Sequence, residues 1–169
     1  AVRLALVLTL RKHRSERLAN FLNDAEERIV AEAARAIYEE RVFSALPALA
    51  RLADQSERSL AVAYRSAAAN YILGDAPGAE RLARLAGRTH APDHLRLFAL
   101  KLLADWPAPP RRDPITGLTL DLPRRDAAVV AAAVRQQGAR LFTGSDPVRR
   151  QAAQTIARLG LQDFGPALA

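Results

Sequence analysis

The chain of 169 residues has three imidazoles, His13, His90 and His94, and no cysteine. Without thiols it has no thiolate ligand, thiol nucleophile, disulfide or covalent c-type haem attachment of its own. His90 and His94 stand four apart, the spacing that puts two metal ligands on one helical face. Pro92 interrupts that arrangement. It suits the first turn of a helix starting near Ala91, which leaves His90 in the loop and Asp93 as the one nearby carboxylate. The pair therefore reads as a solvated helix start. The run Gly74-Asp-Ala-Pro-Gly78 is glycine-rich but has neither a Lys-Ser/Thr ending nor a preceding strand, so it reads as a turn between helices and not as a phosphate loop. No catalytic residue, metal ligand or cofactor is assigned to this segment.

Basic residues offer a second kind of chemistry. Arg11, Lys12, Arg14 and Arg17, with His13, form the densest cluster, and Arg111 and Arg112 form another. Such groups can bind phosphate or acidic protein surfaces. The first cluster also sits where a helix should end, and the helix dipole favours cations there. Arg149 and Arg150 fall in the first turn of a helix, against that preference. The formal charge is +7, divided as +2 over residues 1–84 and +5 over 85–169, a mild and dispersed excess that makes nucleic acid the weaker partner reading. Asp105-Trp106 could present an indole and a carboxylate to a base, but Trp106 continues the stripe Leu95, Ala99, Leu102 and precedes Pro107, as a packing residue would.

The elements that position these groups are helices. There are 36 Ala, 25 Leu and 23 Arg against 8 Gly, and aromatics are 5%, a composition of strong helix formers. The apolar run Leu4–Leu10 is broken by Thr9 and followed by Arg11-Lys12-His13-Arg14. It is far shorter than the roughly 20 residues of a membrane span, and its basic residues lie on the wrong side for a signal peptide.

Helical spacing recurs at a constant offset. Adding 119 carries Ile29 to Val148, Ala33 to Ala152, Ala34 to Ala153, Ile37 to Ile156, Pro47 to Pro166, Ala48 to Ala167 and Leu49 to Leu168. The same first-helix face begins at Val2, Ile29, Leu60, Leu95 and Val148. The spacings are 27, 31, 35 and 53, and removing the proline-rich residues 107–126 reduces the last to 33. Each unit reads as two antiparallel helices. In the clearest one, a first helix over about Ala25–Glu40 carries Ile29, Ala33 and Ile37, with Asp24, Glu26 and Glu27 at its positive end. A second helix follows, with Ser44 as N-cap, Pro47 in the first turn and Leu46, Leu49 and Leu52 facing the first helix.

Period, helix pairs and the run Ala45-Leu-Pro-Ala-Leu49 resemble HEAT repeats. The resemblance implies an all-α, right-handed α-solenoid over residues 1–169, with about four and a half repeats. The stretches Leu10–Asp24, Arg28–Ile37, Leu103-Ala-Asp-Trp-Pro107 and Arg112-Asp-Pro-Ile-Thr-Gly117 are more specifically similar to the helical-repeat segment of large bacterial quinone-dependent sugar- or sorbosone-dehydrogenase-like proteins, many of which carry a C-terminal haem domain. That similarity implies an exported or periplasmic oxidoreductase in which this segment joins other modules. The absence of Met and the helix-like opening at Phe164–Ala169 also suggest a piece of a longer chain. The implied partner is protein, either the flanking domains or a second molecule.

The insert 107–126 lies between the two helices of one repeat. Leu118, Leu120 and Leu122 alternate with Thr119 and Asp121, as in a half-buried strand. An arm of this kind is expected to pack Ile115 or these leucines on its own repeat or on a neighbouring domain.

Overall fold

The computed structural model describes residues 2–164, the side chain of Asp163 excepted. All regular structure among these residues is helical. The equivalents of Pro47, Ala48 and Leu49 at Pro166, Ala167 and Leu168, and the expected last helix, lie outside the described residues. The chain divides into two compact units, Ala1–Leu73 and Gly74–Ala169.

The first unit contains α1 (Val2–Lys12), a 3-10 segment (Glu16–Asn23), α2 (Glu27–Glu39), α3 (Leu46–Arg51) and α4 (Leu60–Leu73). Helix α2 forms where the expected stripe lies, and Ile29, Ala33 and Ile37 are fully or almost fully buried. It packs on α1, on the 3-10 segment and on α4. The second helix expected after α2 is fragmented, with α3 flanked by 3-10 turns at Phe43–Ala45 and Leu52–Asp54. Pro47 occupies the first turn of α3, whereas Ser44 is inside the preceding 3-10 turn and Ala45 stands at the cap without a side-chain bond. The 3-10 turn already orders this stretch, because Ala45 and Leu46 N–H groups donate to Val42 O. Leu46, Leu49 and Leu52 are buried as expected, but α3 packs mainly on α4 and only lightly on α2, the helix these leucines were expected to face.

In the second unit, α5 (Ala76–Gly87) packs on α6 (Asp93–Ala104) and α7 (Ala127–Gln137), and α6 packs on α8 (Asp146–Arg158). The Asp75 and Asp126 carboxylates cap α5 and α7 by accepting from Gly78 N and Ala128 N, each at 2.8 Å. Helix α6 starts at Asp93, so Pro92 is its cap and not part of its first turn. A stack cut short is expected to open part of the α8 face carrying Ala152, Ile156 and Leu159; Ala152 and Ile156 are buried and Leu159 is half-buried, and α6 and the 3-10 segment Gly138–Phe142 pack on this helix.

Three helices end in the same way. Ser15 N donates to Leu10 O, Val42 N to Ile37 O and Leu161 N to Ile156 O, at 3.0, 3.0 and 3.1 Å. The preceding residue has a positive φ in each case, +46° at Arg14, +53° at Arg41 and +67° at Gly160. This is the Schellman exit, in which a left-handed residue returns its successor's N–H to the last turn. Arg14 and Arg41 are 27 apart and Arg41 and Gly160 are 119 apart, the spacings of the hydrophobic repeats.

Candidate functional site

Arg11 leaves the end of α1 and is held by three carboxylates. Its Nε donates to Glu40 at 3.0 Å, one terminal nitrogen to Glu39 at 3.0 Å and the other to Glu32 at 3.3 Å. Burial lowers the guanidinium pKa, but the Glu40 and Glu39 bonds and charges outweigh this and raise it. Arg11 is thus committed to its own fold. Lys12, His13, Arg14 and Arg17 are exposed, and Arg14 lies 3.9 Å from Glu40.

The ion pairs also fix helix direction. At one end Arg3 of α1 reaches Asp24 and Glu26, and Glu27 of α2 accepts from Arg58 at 2.9 Å and from Ser59 N at 2.8 Å just before α4. At the other end Arg11 and Arg65 of α4 reach Glu39. Helices α1, α2 and α4 therefore lie side by side and run the same way.

Between the outer two helices, the exposed face of α2 floors an open groove of about 500 Å³. Leu4 and Leu8 form one wall, Ala61 and Arg65 the other, and Arg28, Ala31, Glu32, Arg35 and Glu39 line the floor. Leu8 is 44% exposed despite its size. Arg35 and Arg65 pair with Glu39. Arg28, one residue into α2, has no hydrogen-bond or carboxylate partner among the described residues. Sequence reasoning missed this groove, because its walls come from segments about 30 and 60 residues apart and only packing brings them together.

In the second unit, the insert is ordered without being a strand. Its ends meet where Arg125 N donates to Pro107 O at 3.1 Å, and the Arg125 guanidinium lies 4.7 Å from the centre of the fully buried Trp106 ring. Asp113 organises a tight turn. Its carboxylate accepts from Ile115 N and Thr116 N, its own N–H donates to Leu118 O at 2.7 Å, and Gly117 supplies φ +71°. Leu118 belongs to this turn and is 66% exposed, whereas Leu120 is buried at 5% and Leu122 is half-buried. The expected strand fails because no neighbouring strand among the described residues holds a pleat and the turn claims the Leu118 carbonyl. Arg111 and Arg112 are exposed; the first reaches Asp121 and the second donates to Gly117 O.

Arg96 is the buried cation that the sequence did not signal, since it sits beside Leu95 on an apolar stripe. It is 1% exposed. Nε donates to Ala86 O at 2.8 Å, and a terminal nitrogen reaches Arg140 O and Thr143 Oγ1. Desolvation lowers its pKa, and Asp93 opposes only in part. Trp106 is fully buried, as a packing residue would be, and Asp105 pairs with Arg158 at 2.9 Å. His90 lies in a turn and His94 on the exposed start of α6. Among the described residues no three His, Cys, Asp or Glu side chains cluster as metal ligands, and no helix is long and apolar enough to cross a membrane.

Compared with family models, curated proteins and solved structures, the chain gives no match.

Proposed function

We propose that this chain is a non-catalytic HEAT-like scaffold, a right-handed solenoid of antiparallel helix pairs that joins domains of a larger exported oxidoreductase. The observation that carries the repeat reading is the set α1, α2 and α4. These are consecutive first helices by spacing, and they lie side by side in one direction, with ion pairs joining α1 to α2 at both ends and α2 to α4 just before α4 and again at Arg65 within it. Stacked helix pairs need such a layer, because each unit alone leaves an apolar face uncovered. The oxidoreductase setting, and with it a periplasmic location, rests on the similarity of residues 10–24, 28–37, 103–107 and 112–117 to dehydrogenase-associated repeat segments.

Protein is favoured over nucleic acid as the partner. Arg11, at the centre of the densest basic cluster, is taken up by three carboxylates. The test is to express the chain and the flanking domains of its parent protein separately and mix them. Co-migration in analytical ultracentrifugation is the expected result. No association, together with duplex DNA binding that weakens steeply as salt rises, would overturn the reading in favour of a nucleic-acid-binding solenoid.

A further inference from the structure

We infer that the groove over α2 seats a helical segment of a protein partner, one that presents leucine-like side chains beside a carboxylate. The inference rests on reading the chain as an interaction module and adds the chemistry of what it binds. From Arg28 to Glu39 the floor is 12 residues long, about 16 Å at the helical rise, which accommodates roughly three turns of a second helix. An extended segment would fit less well. No sheet edge is available among the lining residues to pair its backbone N–H and C=O groups, whereas a helix satisfies its own.

The side chains specify the rest. Leu4 and Leu8 are one helical turn apart on the wall of the groove, and Ala31 and Ala61 keep the floor and far wall low, so a partner's apolar stripe can lie against all four. At one end Glu39 is saturated by Arg11, Arg35 and Arg65. At the other end Arg28 stands in the first turn of α2, where the helix dipole disfavours a cation. The neighbouring Glu27 cannot relieve it, because its oxygens are engaged by Arg58 and Ser59. An incoming carboxylate at this point would meet an uncommitted guanidinium and the positive end of the helix together.

The test uses the whole chain and two fluorescein-labelled amphipathic helical peptides of about 14 residues with the same leucine stripe, flanked by Glu in one and by Lys in the other. Fluorescence anisotropy should show the Glu peptide binding and the Lys peptide binding more weakly. Leu8→Glu and Arg28→Glu should each weaken the Glu peptide by roughly tenfold or more, while Arg51→Glu, on an exposed position outside the groove, should leave it unchanged. Thermal melts check folding, and Leu8→Ser and Arg28→Gln replace any variant that does not fold. Failure of the Glu peptide to bind, binding that survives both groove substitutions, or an equal loss with Arg51→Glu would each overturn the proposal. If the peptide fails while the separately expressed domains still associate, this seat falls and the scaffold reading stands.

Discussion

Arg11 of α1 and Arg65 of α4 end on different oxygens of one carboxylate, Glu39 Oε2 at 3.0 Å and Oε1 at 3.1 Å. Through one side chain on α2, the two outer helices of the layer are referred to the same point. Exposed ion pairs contribute little, but these three groups are each only about one-fifth exposed, at 23%, 18% and 22%, so screening is reduced.

That arrangement gives the first unit an acid-sensitive component. Burial pushes the Glu39 carboxyl pKa up, but hydrogen bonds and charge from Arg65 and Arg35 outweigh it and hold it below the ordinary glutamate range. Glu27 is lowered in the same way by Ser59 N and Arg58. A depressed pKa in the folded state means that this stabilisation is complete above the ordinary glutamate value and disappears as pH falls through the depressed one. Glu39→Gln is expected to cost about 1–2 kcal/mol near neutrality and to flatten the acid limb of the Tm–pH curve. A variant whose Tm falls as steeply with acid as the parent would contradict this.

Core volume should be tightly limited on α2 and α8. Ala33, Ile37 and Ala152 are all inaccessible. Ala33→Leu and Ala152→Leu are expected to cost about 1–3 kcal/mol by overpacking, and Ile37→Ala about 2–5 by leaving a cavity. Urea unfolding measures each, and neutrality of all three would mean that the inner face is misassigned.

Leu118 and Leu120 should separate sharply. Leu120→Ala removes a buried side chain and is expected to cost about 2–5 kcal/mol, while Leu118→Ala should stay within about 0.5. Equal effects in chemical denaturation would show that the turn at Asp113 does not divide them.

Gly144 sets the limit on the loop around Arg96. A β-carbon there would lie 2.5 Å from Arg96 Nη1, and φ is +106°, a region unsuited to other residues. Gly144→Ala is expected to cost about 2–3 kcal/mol. Arg96→Lys should also destabilise by about 2 kcal/mol or more, since one ammonium cannot span Ala86 O, Arg140 O and Thr143 Oγ1 as the guanidinium does. Hydrogen exchange at residues 138–145 should rise in both.

Helix positions were readable because periodicity is local: Ile29, Ala33 and Ile37 mark α2 whatever packs on it. Trp106 was readable as a packing residue for the same reason. The exits were not, since two of three use Arg in a conformation that favours Gly, and the hydrogen bond to Leu10 or Ile37, not the residue type, maintains it. Arg11 looked available because its counter-charges at Glu32, Glu39 and Glu40 are more than 20 residues away. Alternation in Leu118–Leu122 suggested a strand, but a strand requires a partner that the pattern alone does not supply.

The single hydrogen bond from Arg125 N to Pro107 O brings the two ends of the insert together at the mouth of the loop. Closing a loop whose ends already meet depends only logarithmically on its length. Helices α6 and α7 therefore place almost no topological demand on how much chain lies between them, and the segment is a port at which longer or shorter sequences can be accommodated. What holds its present size is the anchoring of Leu120 and the cover that Arg125 gives Trp106. A replacement that keeps those two contacts, together with the buried Asp113 turn or an equivalent of it, can differ in length between Arg111 and Thr119.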